Sequence, residues 1–259
     1  MTKLTLALLG TSALMLAACG GSGGNNNAPT PPPTQLPPGN NAQQNPPPAS
    51  SGIVQGVAYV LPAGSTIPSS ASQLHETKSN YLSVLNAGGK QVTLQIPGIY
   101  SRGMTYLPGG ANVDGKGYRT FVVSGSKYAY SKFGHVNDGE TRIFSHGVLT
   151  TQMPAMGRVE YEGDSTIAQG SMVAIGDSDF VADFGQKTLV GYLTQEDRSP
   201  VIFNPIYINA TITGNSFATA PGSTTARGYF YGPNAAELGG VFSDSSQQIS
   251  GSFGARIDR

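Results

Sequence analysis

The chain has 259 residues, and its 15 basic and 15 acidic side chains give a net charge of zero. A neutral chain lacks the electrostatic footprint of a nucleic-acid binder, so no nucleic acid is expected among its partners. With 35 glycines, 12 tyrosines and 10 phenylalanines but only 12% charged residues, the composition is typical of an all-β, turn-rich protein.

The amino terminus has the order of a bacterial export signal that ends in a lipidation site. Met1-Thr2-Lys3 precedes an almost wholly apolar stretch from Leu4 to Leu16, which is too short to span a bilayer, and Ala17-Ala18-Cys19 follows it. Residues 1–18 are therefore predicted to be a lipoprotein signal peptide, and Cys19 the acylated residue that anchors the mature protein. Gly20, where an aspartate would indicate the inner membrane, favours the outer membrane of a Gram-negative bacterium.

Cys19 is the only cysteine of the chain, which limits what can stabilise the folded part. Once acylated, it is available neither for a disulfide nor for thiolate metal or redox chemistry, so stability must come from packing.

Residues 19–51 are predicted to form a disordered tether rich in Gly, Asn and Pro. Nine of the 18 prolines fall between Pro29 and Pro48, and the segment has too few apolar side chains to form a core. An extended proline-rich spacer rises about 3.1 Å per residue, so this one would reach at most about 100 Å from the bilayer.

Residues 52–127 are predicted to form a small β-rich domain. Strands are expected from Val54 to Val60, Gln91 to Ile96 and Arg119 to Val123, and a weak helical pattern runs from Ser69 to Leu85.

Residues 128–259 are predicted to form an antiparallel β-barrel, with the most regular alternation after Met153-Pro154. Strands are indicated from Arg158 to Glu162, Lys187 to Thr194, Tyr207 to Thr213 and Arg227 to Tyr231. A last strand is predicted from Ile249 to Ile257, in which the odd-numbered residues would face a core and the even-numbered residues would face solvent. Recurring glycines within strands suit a strongly curved sheet, and closure into an up-and-down barrel removes exposed edges.

Several segments of this half resemble the transferrin-binding protein B-like surface lipoproteins. They are Tyr130-Ser131-Lys132-Phe133-Gly134, the run from His146 to Gly163, the run from Gly228 to Phe242 and Gly251-Ser252-Phe253-Gly254-Ala255. The similarity covers roughly residues 125 to 257 and is most specific in Gly-Tyr-Phe-Tyr-Gly-Pro and Glu-Leu-Gly-Gly-Val-Phe. It implies an N-terminal handle domain, a C-terminal eight-stranded barrel, surface display by an outer-membrane translocator, and a binding protein instead of an enzyme.

Members of that superfamily bind transferrin, complement factor H, haemoglobin-haptoglobin or haem, and the resemblance does not decide among these partners. A single handle and a single barrel fit its shorter members. No cofactor is required, but haem is a candidate ligand. Haem needs an axial His or Tyr in an apolar cleft. Our candidate haem ligands are His135, His146 and His75, and the turn between the first two would let a hairpin bring them into one site. Tyr100, Tyr106 and Tyr118 are further candidates.

A host-protein partner would instead need an exposed aromatic cluster. Tyr100, Arg102, Met104 and Tyr106 are the candidate partner-binding residues, because they form an apolar and aromatic stretch between two Pro-Gly turns. The alternative is that Tyr100, Met104 and Tyr106 fill the core of the handle.

No catalytic site and no metal site are predicted. Ser124 and Lys127 have the Ser-x-x-Lys spacing, but they precede a strand-like run where that chemistry needs a helix. Glu160 and Glu162 are interpreted as surface charge.

The sequence therefore predicts a surface-exposed outer-membrane lipoprotein that binds a host iron or haem protein, or haem itself. The alternatives are a lipoprotein that binds a complement regulator and a structural or adhesive envelope lipoprotein.

Overall fold

The computed structural model describes residues 53–113, 115–197 and 199–257. The predicted signal peptide, the predicted tether and Cys19 lie outside these residues. The described part is all-β, with two short 3₁₀ turns at Ala71–Gln73 and Pro233–Ala235. It includes no helix long and apolar enough to cross a membrane. The strands are β1 Val54–Leu61, β2 Leu74–Ser79, β3 Val84–Ala87, β4 Lys90–Thr93, β5 Met104–Leu107, β6 Ala111–Val113, β7 Lys116–Tyr118, β8 Thr120–Ser124, β9 Ser131–Asn137, β10 Thr141–Val148, β11 Arg158–Gln169, β12 Met172–Asp183, β13 Thr188–Gln195, β14 Ile206–Thr213, β15 Ser216–Thr219, β16 Thr224–Tyr231, β17 Glu237–Asp244 and β18 Ile249–Ile257.

The handle is a six-stranded antiparallel sheet in the order β2-β1-β10-β9-β8-β5. Two small hairpins, β3-β4 and β6-β7, cover one face of it. The sheet and the hairpins share one apolar core, in which sheet residues pack against hairpin residues: Ala58, Phe121, Val123, Val136 and Phe144 against Leu85, Ala87, Val92, Val113 and Tyr118. Each fully buried large side chain in such a core contributes roughly 1.5–3 kcal/mol to stability. This packing keeps hairpins with strands of only three or four residues folded.

A buried guanidinium ties these hairpins to the sheet. Arg142 is fully buried and forms salt bridges with Asp138 and, at 2.7 Å, with Glu140. Lys116 of β7 reaches Asp138 at 3.0 Å, and Lys90 of β4 reaches Glu140 at 2.7 Å. Burial acts to raise the pKa of Asp138, but Lys116 and Arg142 outweigh it and lower that pKa. The acidic residues of the turn between β9 and β10, Asp138 and Glu140, therefore have a structural role.

The barrel comprises β11 to β18, each paired with its neighbour in sequence, and β18 closes the barrel on β11. Its interior is filled mainly by aromatic and branched side chains. Phe180 and Phe253 stack at 4.9 Å between ring centroids, and Phe217 meets Phe230 at 5.6 Å. This interior is a packed core, as expected for an eight-stranded barrel.

The outside of the barrel has two different walls. We call the outward face of β16, β17 and β18 the covered wall, because the second face of the handle sheet packs on it. Val57, Tyr59 and Ile143 of the handle contact Val241 there. We call the outward face of β11 to β14 the free wall; on β11 it includes Glu160 and Glu162, and on β12 it runs from Asp177 to Val181. Asp164 is bonded to Lys127 and Tyr128 of the handle and marks its edge. Ala168 and Val173, at the other end of β11 and β12, still pack against the handle.

Two glycines permit the close approach of the handle to the covered wall. A Cβ on Gly254 would overlap the ring of Phe133 of β9, and one on Gly239 would lie 2.6 Å from the Ser145 hydroxyl of β10. Ser252, two residues before Gly254 on β18, donates a hydrogen bond of 3.1 Å to the carbonyl of Gly134. Small outward residues therefore let the two sheets touch almost at the backbone.

A buried carboxylate holds the segment that joins β8 to β9. Glu237 is 3% exposed and accepts hydrogen bonds from the backbone N–H of Ala129 at 2.7 Å, the N–H of Tyr130 and the hydroxyl of Ser131 at 2.7 Å. Burial raises the pKa of Glu237, and these donors counteract the rise. Glu237 begins the Glu-Leu-Gly-Gly-Val-Phe motif, which thus encodes contact with the handle.

The predicted fold class is confirmed, but the boundary between the two domains lies later than residues 127/128. β9 and β10, which that boundary assigns to the barrel, pair with β8 and β1 in the handle sheet. The barrel begins only at Arg158, beyond Met153-Pro154. Both sheets are antiparallel with the same period-two pattern, so alternation alone does not reveal which sheet a strand joins.

Two further expectations are wrong. The helical pattern from Ser69 to Leu85 contains a single 3₁₀ turn followed by β2 and the start of β3. Strand β18 does alternate as predicted, but its even-numbered face is not solvated: Ser250, Ser252 and Gly254 are buried, because the handle lies against them.

Candidate functional site

The hairpin β9-β10 does not bring His135 and His146 into one site. His135 pairs with Ile143, and His146 pairs with Lys132. Because side chains alternate across a strand, these two rows point to opposite faces of the sheet. His135 faces the barrel, whereas His146 lies on the hairpin-covered face beside Phe144, at 5.7 Å between ring centroids.

Both histidines are buried and largely without polar partners. His135 is 2% exposed and its Nδ1 has no hydrogen-bond partner. His146 is fully buried, and only its Nε2 is bonded, to the carbonyl of Leu82 at 3.1 Å. Burial lowers the pKa of each to about 4, so both are neutral at physiological pH. Neither imidazole opens to a cleft where a haem iron could approach it.

The other candidate haem ligands are dispersed. His75 is half-buried on the edge strand β2, and Tyr118 packs in the handle core against Phe121. A surface depression of about 280 Å³ lies beside β2 and β3, lined by Lys78, Ser79, Asn80, Tyr81, Val84, Asn86 and Gln91. Its lining is mostly polar, whereas haem requires a mainly apolar pocket. Haem ligation by His135, His146 or His75 stays a prediction, and the structure offers it no converging site.

The candidate partner-binding residues divide into an exposed pair and an interdomain pair. Tyr100 is 80% exposed, and Arg102 is exposed beside it. Met104, by contrast, packs against Val122, Ala168 and Val173 between handle and barrel. Tyr106 donates its hydroxyl to the Val173 carbonyl at 2.7 Å. Met104 and Tyr106 therefore help join the two domains, and neither belongs to the apolar core of the handle.

We call residues Pro97 to Arg102 the handle loop. It presents four consecutive exposed residues, Pro97, Gly98, Ile99 and Tyr100. Its conformation is fixed by backbone bonds: Ser126 N–H donates to the Ser101 carbonyl at 2.9 Å and Lys127 N–H to the Arg102 carbonyl at 2.7 Å. The Ser101 hydroxyl bonds the Met104 carbonyl at 3.0 Å. An exposed tyrosine on a pinned loop loses little entropy on binding.

Three exposed side chains of the free wall were missed by the sequence reasoning. Val190, Tyr192 and Tyr207 are 51%, 43% and 72% exposed, and Tyr192 pairs directly with Tyr207 across β13 and β14. The alternation in both segments already placed them on the outward face. The missing step was to ask why tyrosines occupy positions expected to be polar.

Ser124 and Lys127, which have the Ser-x-x-Lys spacing, both make structural contacts. Ser124 is buried, and its hydroxyl accepts the N–H of Phe133 at 3.0 Å, whereas Lys127 forms a salt bridge with Asp164 at 3.1 Å. In the described residues, no group of three or more His, Cys, Asp or Glu is arranged to hold a metal ion. Glu160 and Glu162 are exposed on the free wall, as interpreted.

Comparison with known proteins adds a family to this geometry. Residues 153–257 match the family model described as the C-lobe and N-lobe β-barrels of transferrin-binding protein B. An uncharacterized protein of Haemophilus influenzae is 33% identical over 201 residues, which cover 70% of this chain and 68% of that protein. Transferrin-binding protein B of Moraxella catarrhalis is 29% identical over 171 residues, which cover 51% of this chain and 24% of that protein.

Solved structures show the same fold. A single-residue variant of transferrin-binding protein B from Haemophilus parasuis aligns with a TM-score of 0.54 and 26% identity, over 79% of this chain and 45% of that one. The protein from serogroup B Neisseria meningitidis aligns with a TM-score of 0.55 and 22% identity, over 80% of this chain and 44% of that one. This chain thus spans less than half of each of these structures and about a quarter of the Moraxella protein.

Proposed function

Because this chain belongs to the transferrin-binding protein B-like barrel superfamily, we propose that it is a surface lipoprotein that binds a host iron-carrying protein through the handle loop. The single observation that carries the proposal is that Tyr100 and Arg102 are both exposed on a handle loop whose conformation is fixed by backbone hydrogen bonds.

The family supports an iron-related partner. Three of the relatives reported above are transferrin-binding proteins by name, and the matched residues include the whole barrel. Since this chain covers only part of those proteins, transferrin is the first partner to test, and other host iron or haem proteins follow.

The chemistry of the handle loop supports a protein partner. Tyrosine and arginine are among the residues that most often anchor protein interfaces. Here Tyr100 and Arg102 are both exposed on the handle loop, which begins with Pro97-Gly98. Neighbouring Ile99 is 42% exposed and extends the apolar surface.

The buried histidines favour a protein over free haem as the ligand. His135 and His146 would each have to leave a closed sheet before an iron could be ligated. Tyr100 is accessible but stands on a projecting loop, where no described residues enclose it.

The membrane side of the proposal rests on the sequence. Acylation of Cys19 would anchor the protein in the outer membrane, and a dedicated translocator would display it on the cell surface. A fatty-acid probe should label the wild-type protein in cells but not a Cys19→Ala variant; labelling of both would contradict the anchor.

The decisive binding experiment uses immobilised protein and purified serum transferrin, with haemoglobin and complement factor H in parallel channels. We expect saturable binding of transferrin. The double variant Tyr100→Ser, Arg102→Ser should weaken it by about 30-fold or more, as for an interface anchor worth roughly 2 kcal/mol.

Tyr81→Ser is the matched control, because Tyr81 is a 56% exposed handle tyrosine outside the loop. It should leave affinity unchanged. Binding of factor H alone would replace the iron-protein proposal with the complement alternative. Transferrin binding that the loop variant does not weaken would refute the loop as the binding surface. A Soret band on addition of haem to the purified protein would move the ligand to haem.

A further inference from the structure

The free wall carries a continuous row of outward side chains that crosses four strands. Glu162 lies opposite Asp179, Asp179 opposite Tyr192, and Tyr192 opposite Tyr207. With neighbouring strands about 4.8 Å apart, this row is about 14 Å long. It lies on a part of the barrel that the handle does not cover.

The adjoining rows extend both its apolar and its acidic character. On one side, Val181 pairs with Glu160 and with Val190, which is 51% exposed. On the other, Asp164 lies opposite Asp177. The surface therefore has tyrosines and a valine at one end and carboxylates at the other.

This arrangement costs stability within the barrel itself. Like charges directly opposite each other across a strand pair are destabilising, and here two such pairs are adjacent: Glu162 with Asp179 and Asp164 with Asp177. Of these four carboxylates, Asp164 is held by the handle, through a salt bridge with Lys127 at 3.1 Å and a hydrogen bond of 2.6 Å from the Tyr128 hydroxyl. Glu162 also lies opposite Arg256 of β18, so the unmatched charge is that of Asp177 and Asp179. Burial and the charges of Asp164 and Asp179 raise the pKa of Asp177, and the charge of Lys127 offsets that rise only in part.

We propose that the free wall is a second interaction surface, which binds an extended, arginine- and lysine-rich segment of a partner protein. Guanidinium groups would pair with the carboxylates, and their flat faces or alkyl stems would pack on Tyr192 and Tyr207. Cations favour the faces of aromatic rings, and charge complementarity both steers and orients such partners.

Other occupants fit this surface less well. A second copy of the chain, facing itself, would oppose acidic rows to acidic rows. A bilayer surface with anionic headgroups would be repelled by the same carboxylates. The handle loop lies on the other domain, so this surface is additional to the one proposed for the iron-carrying protein.

The experiment uses a peptide of alternating arginine and threonine with one central tryptophan. The chain contains no tryptophan, so emission from the peptide reports binding directly. At 0.15 M salt we expect saturable binding to the wild-type protein that weakens as salt is raised. A peptide with glutamate in place of arginine should not bind.

Two variants test the two halves of the surface. Tyr192→Ser with Tyr207→Ser should reduce affinity about tenfold or more, because it removes the cation–aromatic contacts. Glu162→Gln with Asp179→Asn should reduce affinity and flatten its salt dependence. Tyr81→Ser, at an exposed tyrosine of the handle outside the handle loop, is the control and should leave the affinity for the peptide unchanged.

The proposal is overturned if the arginine peptide does not saturate the wild-type protein, or if the wall and control tyrosine variants weaken binding equally. Dimerisation of the wild-type protein in sedimentation, abolished by the wall variant, would assign the surface to a second copy instead. Loss of transferrin binding in the Tyr100 variants alone would leave this proposal intact, since the two surfaces are tested with separate probes.

Discussion

The two walls of the barrel differ although they belong to the same sheet. In β14 every second residue is exposed, whereas in β17 all eight residues are buried. On the covered wall the outward positions include Gly239, Ser252 and Gly254; on the free wall they include Tyr192 and Tyr207. Alternation thus reveals which residues fill the barrel, while the size of the outward residues reveals what lies outside it.

The two walls also differ in the partners of their carboxylates. Glu237, the acidic residue of the covered wall, is matched by donors from the backbone of the handle. On the free wall Glu162 lies opposite Asp179 and Asp177 opposite Asp164, and of these carboxylates only Glu162 adjoins the cation Arg256. The first arrangement is typical of an internal joint, and the second leaves negative charge on the surface.

The largest test of this contrast is a bulky residue on the covered wall. Gly254→Val should destabilise the protein by about 3 kcal/mol or more, because its side chain would overlap Phe133 and force the two sheets apart. Denaturant unfolding measures the loss. Thr211→Val, which places valine at an exposed outward position of β14, should change stability by no more than about 0.5 kcal/mol. Equal effects would mean that the handle does not press on this wall.

Acidification should weaken the side of the handle that faces the covered wall. Burial lowers the pKa of His135 to about 4, below the usual 6.5, so the unfolded chain takes up the proton first. The stability contributed by neutral His135 is complete above pH 6.5 and is lost as pH falls toward 4. Between pH 7 and 5 the loss should be about 2 kcal/mol.

His135→Leu should reduce the pH sensitivity of the unfolding free energy by that amount, leaving the similar contribution of His146. An unchanged slope would show that His135 is hydrated in the folded protein.

A smaller loss is expected from the carboxylate of the covered wall. Glu237→Gln keeps the shape but removes the charge that accepts bonds from Ala129, Tyr130 and Ser131, and should cost about 1–2 kcal/mol. Glu160→Gln on the free wall, also measured by thermal or denaturant unfolding, should be neutral. A loss at Glu160 as large as that at Glu237 would remove the distinction between the walls.

The smallest effect is expected for Tyr207→Ser. Its side chain is 72% exposed, so unfolding free energy should change by less than about 0.5 kcal/mol. A larger loss would indicate that the tyrosine supports the barrel, which would weaken the case for an interaction surface.

Much of the barrel was predictable from sequence, and β18 was predicted with its bounds, because period-two alternation is local. The sheet to which β9 and β10 belong was not predictable in that way, since pairing partners are distant in the chain. The buried outer face of β18 had a signal, the small residues Ser252 and Gly254, whose meaning depends on a second domain.

The candidate site shows the same limit. The sequence predicted the turn between His135 and His146. It did not predict the register that pairs His135 with Ile143, and this register decides which face of the sheet each histidine occupies. Exposure of Tyr100 and burial of Met104 likewise depend on where β5 meets the barrel. The tyrosines of the free wall could have been found from alternation alone.

The position of β1 has a mechanical consequence. The chain enters the described fold at this strand, which is not an edge but is flanked by β2 and β10 along its length. A pull on the segment before Val54 loads two ladders of hydrogen bonds in shear at once. The fold is therefore expected to resist unzipping from this end, and single-molecule stretching from it should rupture the handle in one step instead of strand by strand.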